Sequence, residues 1–109
     1  MKLTPPEQKF IDWCKLENIT GYEMQYKYEP SRRWKADFAF PEKKILIEIN
    51  GIDHFSNWTN IKNDAEKWNH AQKNGWKVFL FPTNYLFFEQ IKELIGAVSY
   101  PPRPYRAHL

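Results

Sequence analysis

Cysteine is almost absent from this sequence, since Cys14 is the single one in 109 residues. One cysteine excludes an intramolecular disulfide framework and a zinc site built on cysteines. We expect Cys14 to pack on a helix as a small hydrophobic residue rather than to act as a nucleophile. Long apolar runs are also missing: none approaches the ~20 residues of a membrane span, and no secretory hydrophobic region follows Met1. The sequence therefore predicts a soluble cytoplasmic protein with no membrane partner.

Aromatic and charged residues are plentiful instead. Aromatic residues make up 17% of the chain, with five Trp, which supports a compact core despite the short length. That length leaves room for one domain, with a core over about 4–98 and a Pro-rich tail over 99–109. The net charge of +3 and the pI near 9.0 allow a polyanionic partner without requiring one.

The first half of the chain predicts a helix followed by a three-stranded meander. The helix begins at Thr4, which can form a capping box with Glu7, and it ends by about residue 18. The next segment alternates with period two and places four large side chains on one face of a strand. They are Tyr22, Met24, Tyr26 and Tyr28. Two more strands, 34–40 and 45–51, are joined by a tight turn at 41–44.

The second half predicts a helix, a strand and another helix. Gly75 ends the first of these helices, which starts at residue 59 or 60 and has an inward stripe at helical spacing. The stripe comprises Ile61, Ala65, Trp68 and Gln72. A strand over 76–81, buried on both faces, stops at Pro82. A last helix covers 84–98, with Leu86, Ile91, Leu94 and Ile95 inward. The order αβββαβα predicts a single-domain α/β fold with a mixed central sheet and helices on its faces.

Two acids lie among apolar and aromatic residues of the hairpin strands. Alternation places Glu48 and Asn50 on one face of the second hairpin strand. In the first hairpin strand it places Asp37 opposite a face made of Trp34, Ala36, Phe38 and Phe40. Antiparallel pairing then brings Asp37 and Glu48 to about 5 Å apart, where each favours protonation unless they share a cation. Mg²⁺ accepts such a pair with a backbone carbonyl and water, leaving positions for phosphate oxygens, so the pair predicts phosphodiester hydrolysis.

Asp37, the turn and Glu48-Ile49-Asn50 resemble the signature of the PD-(D/E)XK nuclease superfamily, whose core is likewise αβββαβ. Further blocks recur in order: Arg33 to Pro41, Ile47 to Gly51, His54, Asp64-x-x-Lys67-x-Asn69 and Gly75-Trp76-x-Val78. Over about residues 4–82 they resemble the compact phage and bacterial branch related to very-short-patch-repair endonucleases and EDxHD homing nucleases. The resemblance implies a restriction-endonuclease-like core with a C-terminal helix, working in a bacterial or phage-infected cell.

The same resemblance assigns the metal site residue by residue. Asp37 and Glu48 match the metal-binding acids, the Ile49 carbonyl completes the inner coordination sphere, and Mg²⁺ is the cofactor, with Mn²⁺ as a substitute. Glu7 matches a glutamate of the first helix that contacts the metal or its water in many relatives. A purely structural role for Glu7, in the capping box with Thr4, remains open beside it.

Asn50 departs from the superfamily pattern, because a lysine is expected at its position. An amide cannot donate a proton or neutralise a leaving oxygen as an ammonium does, although relatives in this branch often lack the lysine. Lys67 on the helix 59–74 and His54, a general base or phosphate ligand, are the replacements available. Lys67 can instead form an i,i+3 surface pair with Asp64. Asp64 itself matches the last acid of the EDxHD pattern, or is a solvated helix acid.

DNA, duplex or branched, is the partner that the resemblance implies. Basic residues near the hairpin and the helix 59–74 would hold its phosphates. They are Lys27, Arg32, Arg33, Lys35, Lys43, Lys44, Lys62, Lys67 and Lys73. Trp58 can stack on a base or pack in the core. The tail, with Tyr100, Arg103, Tyr105 and Arg106, fits a DNA contact or a homodimer contact equally well.

Two functions follow from these residues. The first is a metal-dependent DNA endonuclease or nickase. The second is a nuclease-derived DNA-binding or assembly module without hydrolysis, in which Asn50 is the trace of lost catalysis. The presence of both Asp37 and Glu48 in a strand context favours the first.

Overall fold

The first helix, α1, spans Pro5–Leu16 in a computed structural model that describes residues 2–50 and 58–95. Its capping box forms as predicted. The Thr4 hydroxyl accepts a hydrogen bond from the Glu7 N–H at 3.4 Å, and the Glu7 carboxylate accepts one from the Thr4 N–H at 3.0 Å. Because Pro5 and Pro6 have no N–H, the capping box satisfies both free N–H groups at the start of α1, which fixes where the helix begins.

Cys14 lies on the buried side of α1 with Phe10 and Ile11. Its thiol is free, and burial raises its pKa to about 12. Because the thiolate is the nucleophilic form, this cysteine is a packing residue, as expected.

Four strands form one mixed sheet in the order β1-β2-β3-β4. They span Glu23–Tyr26 (β1), Ala36–Phe40 (β2), Ile45–Asn50 (β3) and Lys77–Pro82 (β4). The pairs β1–β2 and β2–β3 are antiparallel, and β3–β4 is parallel. A 3-10 turn over Pro41–Lys43 joins β2 to β3, and the crossover from β3 to β4 contains helix α2, Trp58–Lys73. The predicted meander and helical crossover are confirmed.

Helices α1 and α2 cover opposite faces of the sheet. The α1 cluster joins α1 to the large apolar residues of β2 and β3, namely Phe38, Phe40, Ile45 and Ile47. The α2 cluster joins Ala71 of α2 to Ala36, Ala39, Leu46 and Trp76. The sheet is therefore the middle layer of three, and the alternation predicted for β3 is correct.

The single-face prediction for β1 is wrong. Tyr22 and Met24 pack against the α1 cluster, whereas Tyr26 and Tyr28 pack against the α2 cluster. Between the two pairs, Gln25 has φ = 48°, in the left-handed region. A residue in that region breaks the period-two alternation of a strand, so the side chains after it face the other layer.

The face prediction for β2 fails at the same level of the sheet. Phe38 and Phe40 lie in the α1 cluster, but Ala36 lies in the α2 cluster and Trp34 stacks on Tyr28 of that side. The register pairs Met24 with Phe38 and Tyr26 with Ala36, so both strands change face together around one cross-strand position. That position is occupied by Asp37 and the left-handed residue of β1.

The inward stripe predicted for α2 is also wrong, although its bounds are close to the prediction. Ile61, Ala65 and Gln72 are exposed, and Trp68 alone of the four is partly buried. Half-buried polar residues take the inward positions beside the buried Ala71. They include Asn60, Asp64 and Lys67. The reason is that this side of α2 lies over the end of β3 that carries Glu48 and Asn50, where apolar side chains have no matching surface.

Strand β4 lies at an edge of the described sheet, so burial on both of its faces is a wrong prediction. Leu80 is 44% exposed there. Gly75 ends α2 as predicted, with φ = 91°, and Pro82 is the last residue of β4, where a missing N–H is tolerated.

The predicted last helix is not an α-helix in its described part. Residues Phe88–Ile91 form a 3-10 turn, and 96–109 lie outside the described residues. Ile91 and Ile95 are buried against the α1 cluster as predicted, but Leu94 is exposed. A 3-10 turn eclipses residues three apart, which lets Phe88 and Ile91 enter the same cluster together.

The fold is thus an α/β domain with a four-stranded mixed sheet and an α-helix on each face. None of the described helices is both long enough and apolar enough to pass through a membrane.

Candidate functional site

The ladder between β2 and β3 changes character halfway along its length. Near the turn it is regular, with Phe38–Phe40 paired to Ile45–Ile47. At the next position side chains replace the backbone acceptors. The Asp37 N–H donates to Glu48 Oε1 at 3.3 Å, and the Ile49 N–H donates to Asp37 Oδ2 at 2.8 Å. The two acids are cross-strand neighbours as predicted, and the backbone of the opposite strand holds each of them.

Burial dominates the electrostatics of this pair. It is the largest cause that raises the pKa of Glu48 to about 8, and the charges of Asp37 and Asp64 add to it. The pKa of Asp37 is also raised, first by burial and then by the Glu7 charge, against the lowering effects of the Ile49 N–H and of Lys67. Two buried carboxylates that resist ionisation mark a place that is short of positive charge.

Lys67 projects from α2 toward these acids rather than into solvent. Its Nζ lies 4.0 Å from Glu48 Oε2, and only 13% of its side chain is exposed. The ammonium also donates to the Lys35 carbonyl at 2.6 Å and lies 4.2 Å from the centre of the Trp68 ring. This placement favours a role for Lys67 at the acids over a solvated surface pair on α2.

Glu7 serves the capping box and faces the acids as well. Its Oε1 accepts from the Thr4 N–H, while its Oε2 accepts from the Gln25 side-chain amide at 3.4 Å. Gln25 also lies opposite Asp37 in the strand register, and its side chain lowers the pKa of that carboxyl. Gln25 is a site residue that the sequence reasoning missed. The available signal was its position, because the meander puts it opposite Asp37.

Asn50 and Asp64 meet next to the pair. Asn50 is 6% exposed, and its side-chain Nδ2 makes a long hydrogen bond of 3.5 Å to Asp64 Oδ2. The backbone carbonyl of Asn50 accepts a hydrogen bond from the Thr83 N–H at 2.9 Å. Asp64 is half-buried and its charge raises the pKa of Glu48, so it is not a fully solvated helix acid. Asn50 therefore links β3 to α2 and brings no charge to the acids.

Tyr28 fixes α2 beside the acids, a role that the sequence reasoning did not assign. Its hydroxyl donates to the Lys67 carbonyl at 2.9 Å, and burial, with the nearby Glu48 charge, raises its pKa. Its ring stacks on Trp34 and on Trp68, at centroid distances of 6.4 and 6.2 Å. Tyr28 thus sets the position along α2 from which Lys67 reaches the site.

Cationic and aromatic side chains are exposed on α2 and on the segment that leads into β2. The Arg32 guanidinium lies 4.3 Å from the centre of the Trp34 ring, and Lys35 and Lys62 are exposed. Trp58, the first residue of α2, is 72% exposed, so it is not a core residue. The predictions for His54 and for the tail 99–109 lie outside the described residues.

The donor set suits a magnesium-like cation. Within 2–50 and 58–95, no three His, Cys, Asp or Glu side chains are grouped to hold a metal by themselves. Mg²⁺ does not need such a cage, because it is held by one or two carboxylates and keeps water or substrate oxygens as its other ligands. Asp37 and Glu48 each give one oxygen to a backbone N–H and keep a second oxygen.

Comparisons with known proteins support the fold. No protein-family model matches the chain. It is similar to the catalytic domain of the homing endonuclease I-Bth0305I, with a TM-score of 0.68 and 22% identity over 89% of this chain and 100% of that domain. It is also similar to dog (Canis lupus familiaris) prostaglandin G/H synthase 1, at 29% identity over 84 residues, which are 77% of this chain. The chain spans only 13% of that enzyme's length, so this match carries no function. The chain therefore has the fold of a homing-endonuclease catalytic domain.

Proposed function

We propose that this protein is a divalent-cation-dependent DNA endonuclease or nickase that hydrolyses phosphodiester bonds. One observation carries the proposal: Asp37 and Glu48 lie half-buried side by side, held by backbone N–H groups, with raised pKa values. Such a pair is unfavourable unless a cation is shared. The likeness of the fold to a homing-endonuclease catalytic domain supports the same conclusion.

Asp37, Glu48 and the Ile49 carbonyl would hold the cation, Mg²⁺ or Mn²⁺. The Ile49 N–H points toward β2, where it bonds to Asp37. The N–H and C=O of one strand residue point to the same side of the strand. The Ile49 carbonyl therefore also points toward β2, the side on which Asp37 lies. When bound, the cation supplies Lewis-acid polarisation of a phosphate and a lowered pKa for a water molecule.

Lys67 and His54 supply the functions that Asn50 cannot. From its place beside Glu48, the Lys67 ammonium can bind a phosphate oxygen or neutralise the leaving oxygen. His54 follows β3 in the chain, and histidine as a residue type can take a proton from the attacking water or bind phosphate. Asp64 and Glu7 add negative charge around the pair and orient their neighbours.

DNA would bind across the cationic and aromatic surface next to the acids. Arg32, Lys35 and Lys62 can contact phosphates in a salt-dependent and largely sequence-independent way. The exposed Trp58 ring can stack on a base. These contacts suit duplex or branched DNA, bound by a monomer or by a homodimer.

One observation favours a second candidate, a DNA-binding or assembly module without hydrolysis. Asn50 stands in the lysine position, buried and hydrogen-bonded to Asp64. If Lys67 does not replace the missing ammonium, the acids remain but cleavage does not. This candidate binds the same DNA and leaves it intact.

Plasmid nicking separates the two candidates. The wild type should nick supercoiled DNA with Mg²⁺ or Mn²⁺ but not with EDTA. Asp37→Asn should lower the rate by about 10³-fold, because a metal ion contributes several kcal/mol to the transition state. Asp12→Asn is the matched control, since Asp12 is an exposed acid of α1 bonded to Gln8. The absence of wild-type cleavage on duplex, flap, mismatched and four-way substrates would exclude the enzyme, and retained DNA binding would then support the second candidate.

A further inference from the structure

Gln25 adopts a backbone conformation that its place in the chain does not explain. Three described non-glycine residues have positive φ: Asn18, Gln25 and Lys44. Asn18 follows the last turn of α1 and Lys44 closes the hairpin turn, where the chain reverses direction. Gln25 instead lies inside β1. A left-handed residue without a turn is unfavourable for a long side chain, and such strain persists where the surrounding structure requires it.

The strain at Gln25 reorganises two strands. On one side of it, Met24 and Phe38 face α1, and on the other side Tyr26 and Ala36 face α2. The position between these two pairs is the one shared by Gln25 and Asp37. Ordinary alternation in both strands cannot produce this switch of face. The left-handed residue accounts for the switch in β1, and β2 changes face at the position paired with it.

The Gln25 amide lies between two acids that come from different elements. Its Nε2 donates to Glu7 Oε2 on α1 at 3.4 Å, and Gln25 lies opposite Asp37 of β2 in the strand register, close enough to lower the pKa of that carboxyl. A side-chain NH₂ has two donor hydrogens and no charge, so it can serve both carboxylates without adding to their repulsion. A carboxylate at this place would repel both acids, and an apolar side chain could donate a hydrogen bond to neither of them.

We propose that Gln25 is a positioning residue of the acid site, whose left-handed backbone aims its amide between Glu7 and Asp37 and so fixes the direction of both carboxylates. The role rests on the proposed function, because fixed carboxylates matter most to a site that must receive a cation in one geometry. Groups that orient metal ligands typically change metal affinity or activity by about 10–100-fold when removed.

Two substitutions separate the amide from the backbone. Gln25→Gly removes the amide and relieves the positive φ, so the melting temperature should be equal to or above that of the wild type. Gln25→Met removes the amide and keeps both the side-chain length and the strain, so the melting temperature should be equal or lower. Both should weaken Mn²⁺ binding in calorimetry, and lower kcat for plasmid nicking, by about 10–100-fold with little change in KM for DNA.

Asn18→Gly is the matched control, because it relieves a positive φ away from the acids. It should raise or preserve the melting temperature and leave Mn²⁺ affinity unchanged. A purely structural role for Gln25 predicts that function follows stability. Wild-type Mn²⁺ affinity and kcat in Gln25→Gly would therefore overturn the proposal.

A spectroscopic readout tests Gln25 without metal or activity. The side-chain amide signals of Gln25 in a ¹H–¹⁵N spectrum should move in Glu7→Gln and in Asp37→Asn, and stay in place in Asp12→Asn. Unmoved signals in both site variants would overturn the proposal. A wild type that neither binds Mn²⁺ nor nicks DNA would overturn the proposed function instead, and the spectrum would still decide whether Gln25 positions the acids.

Discussion

The half of the β2–β3 hairpin near the turn and the half away from it have opposite character. Near the turn, Phe38–Phe40 and Ile45–Ile47 pair regularly, and all six residues are buried apolar side chains. One position further, Asp37 and Glu48 interrupt the ladder and bond to backbone N–H groups. The first half follows the rules of a stable sheet, and the second half departs from them at several points.

Those departures occur together. Burial raises the pKa values of both acids, Gln25 has a positive φ, and Asn50 is buried and makes a long side-chain hydrogen bond to Asp64. Each is unfavourable in a metal-free protein. Proteins keep such features where function requires them, so the regular half supplies stability and the irregular half supplies the site.

Neighbouring substitutions in β3 should have opposite effects and give the largest contrast. Glu48→Gln should lower plasmid nicking by about 10³-fold, because it removes a cation ligand worth several kcal/mol in the transition state. In EDTA at pH 8 it should raise the melting temperature, since the amide keeps an acceptor for the Asp37 N–H and carries no buried charge. Ile47→Val should leave nicking unchanged and lower the free energy of unfolding by about 0.5–1.5 kcal/mol.

Calorimetric or circular dichroism melts and a nicking time course measure both effects. The distinction between the halves fails if Glu48→Gln destabilises the metal-free protein, or if Ile47→Val loses activity while remaining folded.

The regular parts of the fold, in the hairpin and outside it, could be predicted from the sequence because their signals are local. The capping box of Thr4 and Glu7, the turn at 41–44, the left-handed Gly75 and the alternation of β3 depend on neighbouring residues. The pairing of Asp37 with Glu48 followed from the same local rules.

The elements around Asp37 and Glu48 were harder to predict, because the conformations of β1 and α2 there do not depend on neighbouring residues in the sequence. A positive φ at Gln25 has no sequence marker. Period-two alternation therefore placed Tyr26, Tyr28 and Ala36 on the face of α1, whereas they pack on the face of α2. Hydrophobic periodicity selected Ile61 and Ala65 as the inward side of α2, but α2 turns Asp64 and Lys67 toward the acids. Periodicity locates an apolar core, and it is misleading where a helix faces a polar site.

Lys67→Met should have the next largest effect. Methionine keeps the apolar stem beside Trp68 and removes the ammonium that lies 4.0 Å from Glu48 Oε2. We expect nicking to fall by about 10²-fold, at the lower end of the range for lost acid–base or charge stabilisation. Lys15→Met, an exposed lysine of α1 outside the residues assigned to DNA binding, should keep full activity. Equal losses in the two variants would show that Lys67 acts only through general DNA attraction.

The pH dependence of stability should give the smallest but most specific effect. The folded-state pKa of Glu48 is about 8, above its ordinary value of 4.5, so the folded protein binds more protons than the unfolded chain between these pH values. Stability in EDTA should therefore fall as the pH rises from about 5 to 8. Each kcal/mol corresponds to about 4–8 °C in a domain of this size.

Glu48→Gln should flatten this dependence in thermal melts, and so should saturating Mg²⁺ added to the wild type. A wild-type stability that rises between pH 5 and 8 in EDTA would mean that the two acids are not strained in the metal-free fold.

The central claim is that Asp37 and Glu48 share a cation, and anomalous diffraction from crystals grown with Mn²⁺ tests it most directly. The account predicts one anomalous peak in contact with a carboxylate oxygen of each acid and with the Ile49 carbonyl. The absence of a peak between the two carboxylates at saturating Mn²⁺, or a peak held by other residues, would contradict it.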